Sequence, residues 1–149
     1  MSNIYFYFLL ALIVGAMMPT QAAVNTKMVT FVDNPLLAAF ISFFVGTVGL
    51  LVVLIATGTP LGSLASAKNA PPVAWIGGLL GAVFVTAAVM LVPRLGVTMT
   101  FCLFIAGQML ISLVYDNFGV LGVPVKEVSL MRVLGIILIT GGVVLIRRY

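Results

Sequence analysis

Six polar side chains interrupt otherwise apolar runs of this sequence: Gln21, Asn25, Gln108, Ser112, Tyr115 and Asp116. Gln21 and Asn25 are four residues apart, so a helix places them one turn apart on one face. Gln108, Ser112, Tyr115 and Asp116 follow one another at i, i+4, i+7 and i+8, again a single helical face. Amides and hydroxyls at this spacing offer donors and acceptors to a polar solute, and the carboxylate adds a charge for a cationic group. The set does not suit covalent chemistry. With no histidine, one cysteine and three carboxylates in the chain, neither a zinc site nor a Ser-His-Asp triad can be built. No nucleophile–base pair stands at membrane depth either, so an enzyme is disfavoured, and no cofactor or metal is implied.

The elements that carry these residues are set by composition. The chain has 149 residues, of which 63% are hydrophobic and 7% charged. Soluble domains carry about 25% charged residues. This is therefore an all-α integral membrane protein, with a single transmembrane domain over 1–149 and most of its length in the lipid bilayer. The net charge of +4 comes from basic residues scattered among short loops, a membrane pattern and not a nucleic-acid one. Cys102 lies alone inside an apolar run, which excludes an internal disulfide.

Five transmembrane helices are expected, over residues 4–24, 35–56, 73–92, 97–115 and 130–146. The first carries Gly15 and Pro19. Proline has no N–H, so the carbonyl of Gly15 loses its helical partner, and a kink is expected there. Gln21-Ala22-Ala23 could pass for a signal-peptide cleavage site, but Met1-Ser2-Asn3 has no basic residue and the apolar core is too long for one. The second span follows an Asp33-Asn34-Pro35 start signal and carries Ser42, Gly46, Thr47 and Gly49, a strip of small residues suited to close helix approach. The long connection from Thr57 to Pro72 is rich in glycine and proline, with room for a short interfacial helix at most. Trp75 is placed as an interfacial anchor, and Gly77 and Gly81 form a GxxxG pair. Pro93-Arg94-Leu95-Gly96 makes a tight connection into the fourth span, for which Asn117 and Gly119 are the stop. The fifth span sets Gly135, Leu138, Ile139, Gly142 and Val143 along one seam, with glycines seven apart. Helix–helix association, here dimerisation, is its natural use.

Five spans put the termini on opposite sides. On the N-terminal side lie Lys68, Lys126 and Arg132; on the other lie Lys27, Arg94, Arg147 and Arg148. Orientation follows the Lys/Arg difference between short loops, and a difference of one fixes it poorly. Both orientations are then compatible with the sequence, and two oppositely inserted copies would form an antiparallel, dual-topology dimer of ten helices. That is a two-chain version of the inverted repeat found within many transporters. Inversion also brings the polar faces together. At about 1.5 Å per residue Gln21 lies roughly 26 Å along the first span, whereas Asp116 ends the fourth span on the N-terminal side. Only between inverted copies do Gln21 and Asn25 reach the level of Ser112 and Asp116, with Gln108 of both copies near the midplane.

Gly15, Gln21 and Asn25 in the first span, Ser42-Phe43 with Gly46 in the second, and Gly77-Gly78 with Gly81 in the third resemble the YdcZ-like family. Gly107-Gln108, Asp116-Asn117-Phe118-Gly119, Gly135 and Gly141 extend the resemblance over nearly the whole chain. That family belongs to the drug/metabolite transporter superfamily and is bacterial. The resemblance implies a half-size, multi-pass transporter subunit of the bacterial inner (plasma) membrane, pairing as a homodimer or as a heterodimer with a sister subunit. The final helix is also similar to that of small multidrug resistance exporters. Those exporters carry a glutamate in the first helix, where this chain has only the amides of Gln21 and Asn25.

The expected function is transport of a small polar or cationic solute by alternating access, with Gln108, Ser112, Gln21, Asn25 and Asp116 as the substrate-binding set. The alternative is a non-transporting structural or regulatory membrane subunit, in which the same amides only tie helices together.

Overall fold

The structure, a computed structural model, describes residues 2–148. Five long helices, each apolar and long enough to cross a membrane, account for most of them, and no strand occurs among the described residues. The chain divides into two compact units, Met1–Arg94 and Leu95–Tyr149.

In the first unit, α1 runs Ser2–Val32, α2 Pro35–Ala56 and α3 Ile76–Leu95. Helix α1 passes through Pro19 without a break and extends beyond its expected end at Val24 by two turns. Lys27 does not stop it, because a lysine near a span end can lift its ammonium toward water. The stop comes at Asp33, which takes a left-handed φ of 53° and donates its N–H to the Val29 carbonyl. Asn34 then starts α2: its Oδ1 accepts from the N–H groups of Leu36 (2.8 Å) and Leu37 (3.3 Å), satisfying donors the helix itself leaves open.

The connection from α2 to α3 holds two 3-10 segments, Leu61–Asn69 and Pro72–Trp75, and Trp75 is exposed at the mouth of α3. Helix α3 continues through Pro93 to Leu95, past the turn expected there. A proline's fixed φ is helix-compatible, so the helix continues at the loss of one bond, the one an N–H at 93 would donate to the Val89 carbonyl. The unit's core is Ala39 of α2 against Val85 and Val89 of α3, with Val29 of α1 and Phe84 packed on it. Of the glycine pair, Gly81 makes the close approach: a Cβ there would lie 3.3 Å from the Phe43 ring, while one at Gly77 would meet nothing within 4 Å.

The second unit is α4 (Val97–Phe118) packed on α5 (Leu130–Arg148). Gly96 opens it at φ 80° and ψ 160°, a conformation that only glycine takes readily. Gly119 closes α4 in the left-handed region (φ 60°), its N–H donating to the Tyr115 carbonyl. The stop thus falls where Asn117 and Gly119 place it. The chain then folds back on the end of α4. Lys126 N–H donates to the Asp116 carbonyl (2.8 Å) and Val128 N–H to Asn117 Oδ1 (3.2 Å). Ser129 caps α5, its Oγ accepting from Arg132 N–H.

Gly119→Ala is expected to lower the unfolding free energy by about 1–2 kcal/mol from left-handed strain alone. Crowding adds to this, since the new Cβ would lie 2.8 Å from Val125 Cγ2 and 3.3 Å from the Val123 carbonyl oxygen. Thermal unfolding of the purified variant measures it; an unchanged melting temperature would mean that the turn does not hold α4 to α5.

Most apolar side chains of the spans are exposed, Phe31 at 78% and Leu138 at 75% among them. In water such a surface would drive aggregation; in a bilayer it is the surface that lipid or another helix covers.

Candidate functional site

Each amide of the candidate set stands differently. Gln21, on α1, is exposed and forms no hydrogen bond among the described residues. It borders a groove of about 230 Å³ between α1 and α2, with Ser42, Phe43, Gly46, Thr47 and Leu50 on the other wall. The groove holds no charged side chain. Thr47 Oγ1 is committed to the Phe43 carbonyl (2.8 Å), whereas the Ser42 hydroxyl and the Gln21 amide are uncommitted. Sequence reasoning assigned Ser42 and Thr47 to helix packing and missed them as polar lining. Their place beside Gly46, within one turn, was the available signal.

Asn25 is 5% exposed, and its Nδ2 has no hydrogen-bond partner. An unpaired buried amide costs about 1–3 kcal/mol. Buried groups of this kind are rare enough to require a reason.

Gln108, in the second unit, lies midway along α4 and is exposed; its side chain makes no hydrogen bond among the described residues. Its backbone carbonyl accepts from Ser112 Oγ at 2.7 Å, which ties that hydroxyl to the helix. Eleven residues into α4, Gln108 is about 16 Å from the helix start. A hydrocarbon core is about 30 Å thick, so the amide lies near its centre, where lipid offers no hydrogen-bond partner.

Asp116 is not a free carboxylate. Its Oδ2 accepts from Arg132 Nη1 at 3.3 Å, across the turn that joins α4 to α5. Arg132 also donates to the Lys126 carbonyl at 3.3 Å. Sequence reasoning counted Arg132 only among the basic residues that set orientation. A basic residue in the first turn of one helix, opposite an acidic one in the last turn of its neighbour, was the missed signal. Tyr115, on the same stripe, is exposed.

The α5 seam is divided. Val143 is buried and Gly135 and Ile139 line a groove against α4, while Leu138 is exposed. At Gly135, Gly141 and Gly142 a Cβ would meet nothing within 4 Å, so these glycines answer to no contact within the chain. Gly15 is likewise open. No group of three or more metal-ligating side chains occurs among the described residues.

Unsatisfied amides on two of five apolar spans describe a membrane protein with polar surface at depth, and comparison with known families gives it a class. The family model described as "Putative inner membrane exporter, YdcZ" matches residues 6–145. The chain belongs to the YdcZ family. No curated protein and no solved structure matches it. As a YdcZ protein it is a multi-pass protein of the inner membrane with a membrane-transport role, in a family of exporters and not of enzymes. Within the YdcZ match fall Gln21, Asn25, Gln108 and the Asp116–Arg132 pair.

Proposed function

We propose that the chain is half of an exporter that moves a small, uncharged polar solute by alternating access, with two copies, or one copy and a sister chain, inserted antiparallel. The observation that carries this reading is Gln108, an amide near mid-membrane that its own chain leaves without a partner. In hydrocarbon such a group demands a donor and an acceptor from a second chain, from water in a pathway, or from a solute. Two antiparallel copies place Gln108 of each near a common midplane, so one solute can be held by both amides. Gln21 and Asn25 extend the same chemistry along α1. All three side chains both donate and accept, and none is charged.

Asp116 is left out of this set because Arg132 already balances its charge, which leaves a lone cation little to gain there. The near-balance of loop charges and the unfilled space at Gly135 and Gly142 support the paired assembly. The absence of a carboxylate from α1 argues against proton exchange through that helix.

The test is solvent access in membranes. With the native thiol removed by Cys102→Ser, Gln108→Cys is expected to react with a water-soluble maleimide. Leu110→Cys, on the other side of the helix, is expected to be inert. A Gln108→Cys chain as inert as Leu110→Cys would mean that the amide only joins helices, and the transport reading of this face would fall.

A further inference from the structure

The last turn of α4 and the first turn of α5 set two opposite charges at the rim of an apolar groove, and neither charge exhausts the other. Both bonds of Arg132 leave from one terminal nitrogen, Nη1, at 3.3 Å to Asp116 Oδ2 and 3.3 Å to the Lys126 carbonyl. A guanidinium carries five N–H donors, so those on Nη2 and Nε remain open. Asp116 accepts from Arg132 on Oδ2 alone, which leaves Oδ1 open. The two side chains are 36% and 40% exposed. Below them lies a groove of about 250 Å³ whose walls are Met109 and Leu113 of α4 and Ile136 and Ile139 of α5. From Arg132 to Ile139 is about 10 Å of helix, the distance from the level of lipid headgroups into hydrocarbon.

A ligand matched to this shape has an apolar tail and a compact head bearing one negative and one positive group. We propose that the α4–α5 groove binds a phosphatidylethanolamine-type lipid. The phosphate takes the open donors of Arg132, the primary ammonium donates to Asp116 Oδ1, and an acyl chain lies along Met109, Leu113, Ile136 and Ile139. An anionic headgroup would gain Arg132 but face Asp116 without a counter-charge. A choline headgroup carries the right charges but has no N–H to donate. The inference rests on the ion pair and the groove, and stands apart from the solute pathway at Gln108.

The test is lipid-dependent stability of the full chain purified in detergent. Phosphatidylethanolamine is expected to raise the melting temperature about twice as much as phosphatidylcholine or phosphatidylglycerol with the same acyl chains. The gain should largely persist in the N-methyl and N,N-dimethyl forms, which each keep an N–H for Asp116 Oδ1, and be lost with choline, which has none. Asp116→Asn should erase the advantage over phosphatidylcholine and raise the response to phosphatidylglycerol. Equal shifts with ethanolamine and choline lipids on the unmodified chain would overturn the proposal. So would a preference that survives Asp116→Asn, or an equal shift from soluble phosphoethanolamine, which would place a free zwitterion in the groove. The methylation series uses the unmodified chain and decides the matter even if the variant does not fold.

Discussion

Asn25→Leu is expected to abolish solute-dependent stabilisation and transport while leaving the fold as stable as before, or more so. The side chain is buried and its Nδ2 unpaired, so the resting structure bears a penalty of about 1–3 kcal/mol that a similarly shaped apolar side chain removes. A group that costs stability and sits one turn from Gln21 is explained by what it does in another state, when a solute or a moved helix supplies its acceptor. The measurement pairs thermal unfolding with a screen of small polar metabolites for ligand-induced stabilisation. If Asn25→Leu instead lowers the melting temperature and dissociates the assembly, Asn25 is a contact between chains and does not touch solute. Asn25→Ala separates a packing effect from a polar one, since it removes the amide without adding bulk.

Orientation is the second large effect. Two lysines inserted in the 57–72 connection, together with Arg147→Gln and Arg148→Gln, leave five basic residues on the N-terminal side against two on the other. The side richer in lysine and arginine stays in the cytoplasm, so nearly all molecules should then place the C-terminus outside. The unmodified chain, with three against four, is expected to report both orientations from a fluorescent and a phosphatase fusion at Tyr149. A single orientation of the unmodified chain would exclude the antiparallel homodimer. An oppositely inserted sister subunit would then be required, and the redistribution by charge would still test the loop assignment.

Features that depend only on neighbours along the chain are legible without a structure. Five spans follow from apolar length, since hydrocarbon demands about 20 residues of helix whatever surrounds them. The start at Asn34-Pro35 and the stop at Gly119 follow from local hydrogen bonding and from a left-handed φ that glycine takes without strain. The amide stripes at Gln21/Asn25 and Gln108/Ser112 follow from helical periodicity. The ends of α1 at Val32 and of α3 at Leu95 were less legible. A lysine or a proline near a span end is compatible with both helix and turn, and the continuing hydrogen bonds decide.

Tertiary structure alone decided which faces meet, because helix rotation and crossing point are set by packing that no local pattern encodes. It put Ser42 and Thr47 opposite Gln21 and buried Asn25 while leaving Gln21 open. It gave Phe43 to Gly81 and nothing to Gly77. It also closed Asp116 onto Arg132, residues sixteen apart whose meeting depends on the fold of the turn between them. That pairing turns a carboxylate that reads in sequence as a free cation site into one half of a neutral rim.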